Sequence, residues 1–128
     1  MDIEQFVDRV IEHCPDLDPA VAHDVCVIAT RTLCEYLTQD QTERMASHLP
    51  AALAEGARAG AAEQVTPSDH VELDEFYDKI ASRAETSGAA TEQVGRAVTQ
   101  TLWELLSAGE AVDVLFELPP DLDRLMQP

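Results

Sequence analysis

Residues 38–50, TQDQTERMASHLP, have a counterpart sixty-nine residues later in residues 107–119, SAGEAVDVLFELP. Both stretches begin with a hydroxyl residue that is followed three positions later by an amide or a carboxylate. The two pairs are Thr38 with Gln41 and Ser107 with Glu110. This spacing is the capping box that begins a helix. Both stretches end in Leu-Pro, and proline disfavours a helical conformation in the residue before it. Each stretch therefore predicts one short helix with its own start and stop.

The similarity continues along the rest of the chain. DIEQFVDRV, residues 2–10, matches ELDEFYDKI, residues 72–80, at an offset of seventy, and after one lost residue the offset becomes sixty-nine. The matched pairs include Phe6 with Phe76, Arg9 with Lys79, Val10 with Ile80, Thr30 with Thr99, Thr32 with Thr101, Glu35 with Glu104 and Leu53 with Leu122. A match sustained over about fifty residues predicts a tandem duplicate. We expect a first helical repeat in residues 1–56 and a second in residues 71–128.

The segment between the repeats, residues 57–70, is predicted to be a linker because Gly, Ala, Thr, Pro and Ser dominate it. Its Ala-rich first half could extend the preceding helix.

Within each repeat the apolar residues recur at helical spacing, as in Ile3, Phe6, Val7 and Val10. Asp18 and Pro19 form an N-cap acid followed by a proline at the first helical position, which predicts the start of a second helix, and its twin is expected to begin at Ser87. We expect no strands. The predicted fold is all-α, a tandem pseudo-repeat of two three- to four-helix units forming a helical bundle.

Two features of the second helices predict close packing. Threonines recur in mid-helix at positions 30, 32, 99 and 101, where a hydroxyl can bond back to the carbonyl four residues earlier. Gly95 aligns with Cys26, and a glycine in a helix interior costs about 1 kcal/mol relative to alanine. The pair therefore predicts a helix crossing that admits only small residues.

The net charge of −17 comes from twenty-five acids against eight lysines and arginines. The acid is spread evenly, since residues 2–56 and residues 71–128 each carry a net charge of −8. Such a surface would repel nucleic acid and anionic lipid, so neither is an expected partner. It would tolerate a basic protein partner or a cation. An acidic, lysine-poor surface is also what a high-salt or GC-rich organism would produce with no functional meaning, and this is the favoured interpretation.

The composition also bears on location. Residues 1–12 alternate acids with apolar residues and do not resemble a signal peptide, and no apolar run approaches the length of about 20 residues that spans a bilayer. Three cysteines are an odd number, which argues against a disulfide framework. The sequence therefore predicts a cytoplasmic protein without a membrane segment.

The quoted motifs are similar to those of a known family. A first helix with EFYDKI, a second helix that ends in TLWELLS and a third that ends in Leu-Pro resemble the bacterial and archaeal family called domain of unknown function 2267. The resemblance covers both repeats as two tandem copies. It implies an all-helical fold and brings no established activity, substrate or catalytic residue.

Candidate metal ligands and catalytic acids have simpler structural interpretations. His13 with Cys14 and His23 with Cys26 have the soft donors that zinc prefers, but the matching positions of the second repeat hold no ligands. Buried cysteines and a surface histidine are the favoured interpretation, and no metal or cofactor is expected. Glu35 and its twin in the second repeat are interpreted as a solvated flank of the second helix, pairing with Arg31, and not as catalytic acids.

The largest difference between the repeats is apolar. The second repeat has Trp103, Val112 and Phe116 at positions where the first has Cys34, Glu43 and Ser47. This extra face either packs against the first unit or the linker, or forms an interface with a homodimer mate or another protein, where aromatic residues act as anchors.

The function favoured by these patterns is a non-enzymatic protein-interaction or regulatory module, because no catalytic constellation is found. The alternative is a small-ligand or metal-binding protein whose site lies between the two repeats.

Overall fold

The computed structural model describes residues 2–63, 73–84 and 90–117, apart from the side chains of Leu73 and of residues 115–117. Seven helices lie in these residues and no strand does. The helices are α1 (Ile3–His13), α2 (Pro19–Cys34), α3 (Gln39–Ala46), α4 (Ala51–Ala62), α5 (Leu73–Arg83), α6 (Thr91–Glu104) and α7 (Ala108–Glu117). The all-α prediction is confirmed. Helices α1–α4 form the first half of the molecule, and α5–α7 form the described part of the second half.

Local capping explains where three of these helices begin. The Asp18 carboxylate accepts a 2.8 Å hydrogen bond from the backbone N–H of Ala20, which satisfies a free donor at the start of α2. The hydroxyl of Thr38 accepts from the backbone of Gln41 at 3.2 Å at the start of α3. At α7 the predicted capping box is complete. Ser107 and Glu110 each accept from the other's backbone N–H, at 3.2 and 3.3 Å.

The predicted start of the second helix at Ser87 is wrong. The helix α6 begins at Thr91, with Ala90 at the N-cap position and no side-chain cap bond. Ser87 itself lies outside the described residues. The acid Glu92 lies in the first turn, where a negative charge favours the positive end of the helix dipole.

One hydrophobic core extends through both halves. Its members include residues at matching positions of the two predicted repeats, all at most 1% exposed: Phe6 and Phe76, Val10 and Ile80, Val25 and Val94, Leu33 and Leu102. Burying one such side chain stabilises the fold by about 1.5–3 kcal/mol. The burial pattern of the first repeat is therefore repeated in the second.

Helices α2 and α6 lie against each other and form the centre of the bundle. The helix α1 packs on both of them, and so does α5. The helix α3 packs on α7, and α4 covers α2 and α3. This arrangement agrees with the predicted repeat, which stays a prediction about the origin of the chain.

Glycines permit two close helix crossings. A Cβ added at Gly60 of α4 would lie 2.1 Å from the backbone carbonyl oxygen of Arg31 in α2, so the two backbones meet directly. A Cβ at Gly95 of α6 would lie 3.0 Å from Cε1 of Tyr77. The second crossing confirms the prediction made from Gly95. The first crossing was not predicted, because Gly60 lies in the segment interpreted as a linker. In the structure, residues 57–62 of that segment continue α4, the extension that the alanine-rich composition allowed.

The mid-helix threonines bond as predicted at three of the four positions. The hydroxyls of Thr32, Thr99 and Thr101 each donate a 2.8 Å hydrogen bond to the carbonyl four residues earlier. The hydroxyl of Thr30 is buried and has no hydrogen-bond partner. Back-bonding lets a polar side chain lie in the core without losing its donor. Among the described residues, no helix is both long enough and apolar enough to span a bilayer.

Candidate functional site

The three residues predicted as an interface lie in α6 and α7. Trp103 is in the last turn of α6, where it is partly buried and packs against the core. Val112 lies in α7 and is 47% exposed, unlike the other large apolar side chains that the structure describes. Phe116 also belongs to α7, but its side chain is outside the described residues. Trp103 therefore serves the core in part, whereas Val112 faces solvent.

The orientation of α7 explains why Val112 is exposed. Val114 is fully buried, and residues two apart on a helix point to opposite sides. On the exposed side, Asp113 adds a carboxylate next to Val112. The helix is held at its start by Glu110, whose Oε2 lies 2.8 Å from Nε2 of His48 at the end of α3. The hydrogen bond from Ser107, and then the one with His48, lower the pKa of Glu110. The apolar side chain of Val112 thus lies in the same helix as two acidic residues, Glu110 and Asp113.

The matching position of the first half is occupied differently. Glu43 of α3 aligns with Val112, and its carboxylate accepts bonds of 2.6 and 3.0 Å from Nε of Arg58 on α4. In the first half an ion pair to the next helix therefore covers this face. The second half has an apolar side chain at the same position.

The recurring acid of the first half, Glu35, is buried, so its interpretation as a solvated flank paired with Arg31 is wrong. Arg31 instead pairs with Glu63 at 2.9 Å. The Glu35 carboxylate accepts a short hydrogen bond from Arg83 of α5, and Nζ of Lys79 lies 3.8 Å from it. The approach of α5 to α2 removes this carboxylate from water, which a helix considered alone does not reveal.

The residues around Glu35 form a polar cluster between α2 and α5. Arg83 donates to both oxygens of Glu35 and also donates a 3.1 Å hydrogen bond to the hydroxyl of Thr32. The ammonium of Lys79 lies 4.8 Å from the ring centroid of Tyr36, a cation–π contact. The Tyr36 hydroxyl donates to Glu75 at 3.2 Å. Burial, and then the neighbouring carboxylate, raise the pKa of Tyr36, so its hydroxyl stays a donor. We call this set the Glu35 cluster.

The twin acid, Glu104, binds the first helix of the other half. Its Oε2 accepts bonds of 2.7 and 3.2 Å from Arg9 of α1, and its Oε1 lies 2.9 Å from Nε2 of His13. Partial burial acts to raise the pKa of Glu104, but the hydrogen bonds with His13 and Arg9 outweigh it and hold the pKa below its ordinary value. This Glu104 cluster joins α6 to α1 as the Glu35 cluster joins α2 to α5.

Both clusters have the geometry of structural ion pairs. Each carboxylate accepts hydrogen bonds from cations on a neighbouring helix, and this stabilises its charged form. Four basic residues contact the two acids and were not predicted as their partners: Arg9, His13, Lys79 and Arg83. The sequence did contain a signal for these partners. The offset of seventy that aligns Arg9 with Lys79 also aligns His13 with Arg83, so basic residues recur at the same two positions of the repeat.

The cysteines lie where the structural interpretation placed them. Cys14, Cys26 and Cys34 are buried and free. Burial raises the pKa of Cys26 and that of Cys34 to about 12, so both thiols stay protonated at neutral pH. His23 is exposed, and its Nδ1 lies 3.7 Å from Asp24. Residues 2–63, 73–84 and 90–114 contain no group of three or more His, Cys, Asp or Glu side chains that could hold a metal ion.

A cleft of about 190 Å³ opens between α3 and α4. It is lined by Gln39, Thr42, Glu43, Arg58 and Ala61. The cleft lies inside the first half, whereas the alternative drawn from the sequence expected a ligand site between the halves. Its charged groups are the Glu43–Arg58 pair described above.

Comparison with known proteins gives a family and no activity. The family model described as "Uncharacterized conserved protein (DUF2267)" matches residues 2–125. The match runs through both predicted repeats as one stretch, so the presence of two tandem copies stays a prediction. No curated protein matches the chain.

Proposed function

The chain belongs to the DUF2267 family of uncharacterized conserved proteins, and from that premise we propose that it is a non-enzymatic helical module that binds a basic segment of another protein. The observation that carries the proposal is the 47% exposure of Val112 on α7. Trp103, partly exposed at the end of α6, supplies an aromatic side chain of the kind that anchors interfaces.

The charge of the surface supports a basic partner. The chain carries a net charge of −17, and the acids Glu110 and Asp113 lie in α7 on either side of Val112. A second copy would bring the same negative charge to this face. A segment with apolar and basic residues would cover Val112 and meet the surrounding carboxylates. The same charge weighs against nucleic acid as a partner.

Further observations support the proposal that the module is non-enzymatic and cytoplasmic. The acids that recur in both halves, Glu35 and Glu104, are engaged by cations and leave no unpaired base at those positions. The three buried free thiols favour a reducing compartment. Adaptation to high salt would account for the evenly spread acid without a partner, and the experiment below separates the two explanations.

The test is photo-crosslinking from α7 in a lysate of the native host. A photoreactive residue replaces Val112 in one variant and Asp24, an exposed residue of α2, in the control variant. We expect one discrete protein to crosslink from position 112 and not from position 24. Excess wild-type protein should compete with the crosslink and Val112→Glu should not. The yield should fall as salt rises, because salt screens the attraction between exposed charges.

The competitor Val112→Glu is a fair reagent because it should fold. Val112 is half-exposed, and substitutions at such positions change stability by only about 0.5 kcal/mol. Equal crosslinking from positions 112 and 24, or equal competition by Val112→Glu and the wild type, would contradict the proposal. Light scattering on the wild type and Trp103→Ala addresses self-association. A dimer that Trp103→Ala disrupts would replace the basic partner with a second copy.

The cleft between α3 and α4 favours a second candidate function, the binding of a small polar molecule. Its lining offers the Gln39 amide, the Thr42 hydroxyl and the charged pair of Glu43 and Arg58. Native mass spectrometry of protein purified from its host would show a bound mass, which Arg58→Gln should remove. A clean apo mass in both proteins would reject this candidate and leave the interaction module untouched.

A further inference from the structure

The interface between the two halves is reciprocal, a feature independent of the partner proposed above. Glu35 of α2 holds cations from α5, and Glu104 of α6 holds basic residues from α1. The two acids occupy matching positions of the sequence repeat, and so do their basic partners. The matching partners are Arg9 with Lys79 and His13 with Arg83. Each half therefore uses the same acid to hold the same two positions of the other half.

The packing of the helices follows the same exchange. The helix α1 contacts α6 as α5 contacts α2, while α2 contacts α6 and α3 contacts α7. In an interface with twofold symmetry, each contact from one surface to the other is matched by the reverse contact. The surface of the first half that receives α5 thus corresponds to the surface of the second half that receives α1.

The placement of the bases gives this interface its specificity. The chain has only eight lysines and arginines, and three of them, Arg9, Lys79 and Arg83, lie in the two clusters. Residues 2–56 and residues 71–128 each carry a net charge of −8, so the two halves repel each other overall. Cations at the contact offset this repulsion and determine which surfaces meet.

We propose that the same interface also forms between chains, so that two copies exchange halves and build the same two clusters in a domain-swapped dimer. The partner is a second copy of this chain, and each half docks on the surface that the other half covers within the monomer. Every contact of the two clusters would be preserved, because each joins a residue of one half to residues of the other. Like charge does not oppose this pairing as it does at α7, since the bases lie in the interface.

Two charge-reversed variants test the exchange. In Arg9→Glu a new carboxylate meets Glu104, and in Glu104→Arg a new cation meets Arg9 and His13, so each closed monomer contains a repulsive contact. A swapped dimer with one chain of each variant removes both repulsions. One α1–α6 contact is then native, and the other joins the new carboxylate at position 9 to the new cation at position 104.

The two variants, one of them isotope-labelled, are unfolded in urea, mixed, refolded together and analysed by native mass spectrometry. The control pair is Arg44→Glu with Asp24→Arg, which makes the same charge changes at exposed positions outside the clusters. We expect the share of mixed dimers to exceed that of the control pair about tenfold, because two like-charge contacts become two attractive ones. A share no greater than that of the control pair overturns the proposal.

Two further measurements keep the test decisive. If either variant alone fails to fold, circular dichroism of the refolded mixture decides, since recovered helix supports the exchange and persistent loss of helix overturns it. The double variant Arg9→Glu with Glu104→Arg holds both new partners in one chain. It should be more stable than either single variant and remain mainly monomeric. A double variant no more stable than the weaker single variant would show that the cluster does not specify the interface.

Discussion

Glu35 and Glu104 occupy matching positions in the two halves and bind matching residues, yet their surroundings differ. The Glu35 side chain is 4% exposed, whereas that of Glu104 is 36% exposed. Around Glu35, Thr32 and Tyr36 add a hydroxyl and an aromatic ring to the polar cluster. Around Glu104 the partners Arg9 and His13 are themselves partly exposed. The same pairing rule therefore produces a buried network around Glu35 and a surface network around Glu104.

The difference in burial decides what each cluster contributes. An exposed ion pair gains little, because water and salt screen it and the side chains lose freedom. A buried carboxylate has given up its hydration, so removing its partner leaves a charge that nothing compensates. The two clusters consequently look equivalent in the sequence and should behave very differently when one partner is removed.

The largest effect is expected from Arg83→Met, which removes the closest cation from Glu35 and retains Lys79. It should lower the free energy of unfolding by about 3 kcal/mol, at the low end of the cost of breaking a buried pair. Urea unfolding followed by circular dichroism gives the value, with an unchanged slope as the sign that both proteins unfold alike.

The matched control for Arg83→Met is Arg9→Met, which removes the closest cation from Glu104 and retains His13. Its effect should be much smaller, because the pair is exposed. Equal losses in the two variants would break the comparison, since burial would then not distinguish the clusters.

A second prediction compares the glycine crossings of the two halves. In Gly60→Ala the new methyl meets the backbone carbonyl of Arg31 at 2.1 Å, so α4 must move away from α2. We expect a loss of about 2 kcal/mol, within the usual range for overpacking. In Gly95→Ala the methyl meets a ring atom of Tyr77 at 3.0 Å, which requires a smaller shift. Alanine also favours a helix over glycine by about 1 kcal/mol, so Gly95→Ala should be nearly neutral. Thermal unfolding of both variants tests the order, and a reversed order would contradict it.

What could be predicted from the sequence is what local chemistry determines. The starts of α2 and α7 follow from Asp18 and from the Ser107–Glu110 box, because a cap depends on residues only two or three positions apart. The buried pair of Phe6 and Phe76 follows from helical spacing. The prediction for the start of α6 was wrong because its N-cap residue, Ala90, has no polar side chain that could form a cap and mark the position in the sequence.

What could not be predicted depends on how helices approach each other in space. In the sequence, Glu35 is typical of a solvated residue. Only the packing of α5 against α2 buries it and brings Arg83 and Lys79 to its carboxylate. Gly60 stands in a run of alanine and glycine that is as typical of a linker as of a close crossing, and only the 2.1 Å approach to α2 distinguishes them. For Val112, the sequence predicted an apolar surface, and the structure adds that the side chain is half-exposed.

The smallest expected effect is the pH dependence of the exposed cluster. Contacts with Arg9 and His13 hold the pKa of Glu104 below its ordinary value in the folded protein. A carboxyl with a depressed pKa contributes stability that is fully present above its unfolded pKa of about 4.3, and loses it as the pH falls through the lower folded value. Glu104→Gln should therefore be slightly less stable than the wild type at pH 7, and the difference should shrink as the pH falls below about 4.3, the unfolded pKa. Urea midpoints at pH 7, 5, 4 and 3 measure it, with Asp8→Asn as the control at an exposed carboxylate of α1. A difference that does not shrink between pH 7 and pH 3 would mean that Glu104 stabilises the fold through its shape and not through its charge, and the exposed cluster would then resemble the buried one more than its 36% exposure allows.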